Sequence, residues 1–121
     1  SIESIVEKHN IKRLVIDSIS SFTLLYKDEL TKKEASLALF ELINRWNCTA
    51  LMTSQEQTAD EESISAALEF EVDSIILLYH TKKKGTRIRS LEILKMRGTK
   101  HPGKIFPIEI DKSGIKIVRF K

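Results

Sequence analysis

Two short apolar runs, Arg13-Leu-Val-Ile-Asp17 and Cys48-Thr-Ala-Leu-Met-Thr53, flank one amphipathic stretch from Leu30 to Trp46. This order limits the fold more than any other feature of the chain. Runs this short and this continuously apolar read as strands buried on both faces of a parallel sheet. In the stretch between them, Leu37, Phe40, Leu42 and Ile43 form an apolar stripe at helical spacing, with Phe40, Leu37 and Trp46 as core residues. Thr31 is placed to cap that helix and Glu34 follows three residues later, as in a capping box. Strand, helix, strand predicts a right-handed parallel crossover.

The flanks extend the pattern. Ile2, Ile5 and Val6 recur at helical spacing before Asn10, so residues 1 to 9 read as a helix. Beyond the second strand, Ser63 to Phe70 is expected to be a short helix and Val72 to His80 a third buried strand. The remainder, "RIRSLEILKMR", "KIFPIEID" and "GIKIVRF", is a set of short β-like runs punctuated at Gly85, Gly98, Gly103 and Gly114, which predicts antiparallel hairpins. The class is therefore α/β: a mostly parallel sheet with helices on its faces and a C-terminal antiparallel β-meander. With 121 residues, no internal repeat and no low-complexity linker, the chain reads as one domain or part of one.

Composition narrows the setting. No run approaches the roughly 18 apolar residues of a membrane span, and "SIESIVEKHN" lacks the order of a signal peptide, so a cytoplasmic location without membrane contact is expected. Cys48 is the only cysteine, which rules out an intrachain disulfide and argues against a cysteine metal site. The net charge is only +3, but Glu56 to Asp73 holds seven acids and no Lys or Arg, whereas His80 to Lys104 holds nine Lys or Arg and one acid. Such a split suggests two faces with different partners.

The first strand ends in Asp17 followed by Ser18. In parallel sheets ligands bind beyond the carboxyl ends of the strands, and a carboxylate there suits a magnesium ion held through water. Ser18 would assist by hydrogen bonding; the bland alternative is an Asx turn. Thr53, Ser54, Gln55 and Glu56 stand at the equivalent end of the second strand, where polar side chains can meet a γ-phosphate or simply cap the strand. No complete G-x-x-x-x-G-K-[ST] motif occurs in these residues, and no glycine precedes Gly85, so they contain no phosphate cradle.

Taken together, "RLVIDSIS", "TALMTSQEQ", "VDSIILL" and above all "RSLEILKMRGTKHPGKIFPIEIDKSGIKI" resemble the RecA-like ATPase domain of KaiC-type proteins, from the Walker B strand to the end of the core. The resemblance covers essentially residues 1–121 and implies a single partial domain that lacks the upstream phosphate-loop half. It implies ATP and Mg2+ as cofactors, bound between neighbouring subunits of a homohexameric ring. Carried over by motif, Asp17 is the metal-associated Walker B acid with Ser18 beside it, and Lys95 and Arg97 reach in trans to the γ-phosphate. Ser54, Gln55 and His101 are candidate nucleotide contacts.

The residues support the basic pair independently. Lys95 and Arg97 are two apart in a strand, a spacing that places two cations on one face, where they can offset charge built up in phosphoryl transfer. Their alternative use is to guard an edge strand against aggregation. His101 is equally readable as an exposed turn residue beside Pro102. Lys82, Lys83, Lys84, Arg87 and Arg89 are either a solvated hairpin tip or a contact for a nucleic-acid backbone, with no interleaved aromatics to stack on bases. A second class of function thus stands beside the ATPase: a non-catalytic module that binds a protein client or DNA.

Overall fold

The computed structural model describes residues 1–55 and 71–119. They fall into two compact units, Ser1–Glu71 and Val72–Lys121. The expected helix from Ser63 to Phe70 and most of the acidic stretch lie outside the described residues.

The first unit runs α1 (Ile2–Lys8), β1 (Arg13–Ile16), α2 (Ile19–Thr23), α3 (Glu29–Arg45) and β2 (Thr49–Met52). The strands β1 and β2 pair in parallel, with Arg13 opposite Thr49 and Ile16 opposite Met52. The crossover read from the sequence is therefore present. Helix α3 begins one residue earlier than expected, and its cap is Asp28 rather than Thr31. The Asp28 carboxylate accepts from the Thr31 amide at 2.9 Å and from the Thr31 hydroxyl at 2.6 Å. A charged acceptor at the positive end of the helix outcompetes a neutral hydroxyl, and these bonds to Thr31 hold the Asp28 carboxyl below its ordinary range.

Among the described residues, the buried apolar core of this unit is Val6, Ile19, Phe40 and Ile43. Phe40 and Ile43 lie three apart on α3, so they share the face that turns inward. Leu37 and Trp46 are only half-buried. The expectation of strands buried on both faces fails. Leu14, Ile16, Ala50 and Met52 are half-buried, while Val15 and Leu51, directly opposite each other, are 65% and 64% exposed. Side chains alternate across a strand, and among the described residues of this unit only one of the two faces is covered.

The second unit is an antiparallel meander of β3 (Ser74–Lys83), β4 (Thr86–Met96), β5 (Ile105–Asp111) and β6 (Gly114–Ile117), hydrogen-bonded in that order. The run expected as a third buried strand is therefore the first strand of the meander. It extends to Lys83 and alternates half-buried and exposed side chains from Ser74 to His80, the signature of a sheet with one open face. Lys84 and Gly85, with φ of 49° and 79°, make the two-residue turn between β3 and β4, a geometry whose twist matches the flanking strands. The β5–β6 turn is tied by Asp111, which accepts from the Ser113 amide at 2.8 Å and from Lys116 Nζ at 2.8 Å. Lys116 first, and then Ser113, lower the Asp111 pKa from its ordinary 3.8 to about 2.

Candidate functional site at the carboxyl edge of the parallel pair

Both strands of the first unit end in polar residues, and the parallel register brings the two ends side by side. Thr53 extends the ladder by one bond, its amide donating to Ile16 O at 3.0 Å, and its carbonyl accepts from the Ile19 amide at 2.8 Å. These bonds place the Thr53 hydroxyl where it donates to Asp17 Oδ1 at 2.6 Å. Asp17 itself is exposed. One of its oxygens is thus oriented by a neighbouring strand while the group stays in contact with solvent.

Further hydroxyls lie along the same edge. Ser18 is the N-cap of α2, accepting from the Ser21 amide at 3.4 Å, so its oxygen is committed to ordering the turn after Asp17. Ser20 reaches the other strand: its Oγ accepts from the Gln55 amide at 2.8 Å and lies 3.4 Å from Ser54 Oγ. Asp17, Ser18, Ser54 and Gln55, singled out in the sequence, therefore gather on one edge with Ser20 and Thr53. Ser20 is the member the sequence reading missed. Its only signal was a second hydroxyl in Ser18-Ile-Ser20, and its partners lie 34 and 35 residues away.

Among the described residues no three acidic, histidine or cysteine side chains cluster as a metal cage. One carboxylate among hydroxyl oxygens instead matches magnesium, which prefers oxygen donors and takes one or two carboxylates along with waters and substrate phosphates. A cavity of about 290 Å³, lined by Glu3, Val6, Lys12 and Trp46 among others, contains none of these site residues.

Lys95, Arg97 and His101 belong to the second unit. Lys95 is half-buried in β4 opposite Ile75, and Arg97 stands just past the strand end, exposed. The Arg97 amide donates to Asp73 O at 2.8 Å, and its guanidinium pairs with Asp73 Oδ1 at 2.9 Å. His101 is half-buried in the loop after Gly98, with Nδ1 at 3.3 Å from Pro102 O.

The family model described as "ATPase: KaiC" matches residues 1–121. The chain belongs to the KaiC ATPase family. It is 35% identical over 104 residues to the protein MJ1359 of Methanocaldococcus jannaschii, covering 86% of this chain and 42% of that one. It is 30% identical over 118 residues to the circadian clock oscillator protein KaiC of Parathermosynechococcus lividus, covering 96% of this chain and 22% of that one. The crystal structure of the KaiC-like protein PH0186 from Pyrococcus horikoshii superimposes with a TM-score of 0.80 at 32% identity, over 98% of this chain and 51% of that one. The chain thus spans about half or less of the length of these relatives. Membership of the KaiC family accords with the α/β class and with a RecA-type ATPase fold. Among the described residues no helix is long and apolar enough to cross a membrane.

Proposed function

We propose that residues 1–121 form one partial KaiC-like domain that supplies the Walker B side of an ATP-binding and ATP-hydrolysing site, with the phosphate loop provided by residues other than these. The observation that carries this reading is the 2.6 Å hydrogen bond from Thr53 to Asp17 at the carboxyl edge of the parallel pair. It fixes an exposed carboxylate at an edge that also carries the hydroxyls of Ser18, Ser20 and Ser54. When bound, Mg2+ neutralises phosphate charge. Asp17 would hold the ion through water, Thr53 would keep Asp17 oriented, and Ser54 and Gln55 would meet the nucleotide's terminal phosphate. Lys95 and Arg97 act in trans on the γ-phosphate of a neighbouring subunit in a cytoplasmic homohexameric ring, Arg97 exchanging Asp73 for phosphate, and His101 contacts the nucleotide at the same boundary.

The test is calorimetric titration of the native gene product with ATP and Mg2+, compared with its Asp17→Asn variant. Loss of magnesium-dependent ATP binding in the variant is the expected outcome. Equal binding by both proteins would remove Asp17 from the site. A second reading, a non-catalytic module for a protein client or DNA, is favoured by one observation only, the exposed basic end of the meander.

A further inference from the structure

The β3–β4 hairpin outruns the sheet that contains it. Strands β3 and β4 stay paired from Ser74 and Met96 to Lys83 and Thr86, but β5 pairs with β4 only at Ser90, Leu91 and Glu92. Pro107, opposite Ser90, has no amide proton to continue a ladder. Residues 80–89 are therefore a two-stranded arm, and every one of them is exposed.

Register decides how the charges of this arm are displayed. Lys82 stands directly opposite Arg87, and His80 opposite Arg89. Opposed residues share a face, as do residues two apart on a strand, so Lys82, Arg87 and Arg89 lie with His80 on one side of the ribbon. Lys84 adds a cation at the turn. The arm carries five Lys or Arg and no acid. The same face is apolar inside the sheet, at Leu78 opposite Leu91, and becomes basic where β5 drops away. Like charges directly opposed on a ribbon are destabilising. Charges that protect an edge strand do not have to gather on one face of the ribbon, as these cations do.

We infer that this arm is a docking surface for the phosphate backbone of duplex nucleic acid. A two-stranded β-ribbon is a shape that the major groove of a duplex admits. Cations on one face of such a ribbon meet phosphates and gain affinity by releasing counterions. The arm has no aromatic residue between His80 and Arg89, so it lacks the stacking platforms of single-strand binders. This inference rests on the arm alone and not on the ATP site, and it is tested without nucleotide.

The experiment is fluorescence anisotropy of a labelled mixed-sequence DNA duplex with the native gene product, at several salt concentrations. Four cations on phosphates give a slope of about −3.6 in log affinity against log salt, or about a 150-fold loss between roughly 50 and 200 mM. Lys82→Gln with Arg89→Gln, which leaves the hydrogen bond from Arg87 to His80 O in place, is expected to halve that slope and reduce the loss to about 12-fold. It should also leave the far-ultraviolet circular dichroism and thermal midpoint no lower, because opposed cations have been removed. Lys27→Gln with Lys33→Gln, in the first unit, is expected to change nothing. Absence of duplex binding at low salt, preference for single strands, or an unchanged slope in the arm variant would each overturn the proposal. So would binding confined to phosphatidylserine vesicles.

Discussion

Asp17 depends on a hydroxyl 36 residues away in the sequence. A residue that orients a metal-associated ligand typically governs metal affinity about 10–100-fold. Thr53→Ala in the native gene product is therefore expected to weaken magnesium-dependent ATP binding about 10–100-fold with little change in fold, as read by calorimetry; an effect on ATP binding in the absence of magnesium would argue for direct nucleotide contact instead. Asp111 carries a second expectation. Its pKa in the fold is lowered to about 2, so the stability it lends is fully present above the ordinary carboxylate value of 3.8 and is lost as pH falls towards 2. Protection of the Ser113 amide, measured relative to its intrinsic exchange at each pH, should fall across that window, and Asp111→Asn should remove that fall. Asp17, Ser54 and Gln55 were legible because each follows an apolar run. Ser20 was not, because its contacts exist only once α2 has folded back across the second strand. The Asp28 cap was missed for a different reason: two cap-forming residues stand three apart, and only the geometry shows the carboxylate taking both donors of Thr31.

At the scale of elements, the strand–helix–strand unit was readable from apolar runs and helical spacing, and its helix is held by few buried side chains. Phe40 is 3% exposed, and Phe40→Ala is expected to cost about 3–5 kcal/mol in urea unfolding followed by circular dichroism. A loss well under 1 kcal/mol would show that α3 packs by other contacts. The sequence pattern did not distinguish a third parallel strand from the first strand of a meander, because "SIILLYH" is continuously apolar in both cases. The deciding factor is the Lys84–Gly85 turn, which commits β3 to an antiparallel partner. Gly85 has φ of 79° with no atom near a would-be Cβ, so Gly85→Ala is disfavoured by backbone conformation alone. It should destabilise the hairpin by about 1 kcal/mol or more.

At the scale of the molecule, the meander leaves a face open. Ile76, Leu78, Ile110, Ile115 and Ile117 share one side by register and are all exposed, Leu78 at 71% and Ile115 at 69%. Contiguous apolar surface of this kind marks an interaction face. Together with the half-length match to the relatives, it leads us to expect that the 121-residue chain self-associates with concentration and shows no heat of ATP binding. Sedimentation that finds a monomer at all concentrations would count against that. In the proposed shared site, Asp17 comes from one subunit and Arg97 from its neighbour. The most direct test mixes Asp17→Asn with Arg97→Ala subunits of the native gene product, each inactive alone, and measures ATP turnover. Recovery of activity in mixed rings, where some interfaces join an intact Asp17 to an intact Arg97, is the expected result. Mixtures as inactive as their components, despite confirmed co-assembly, would contradict the account.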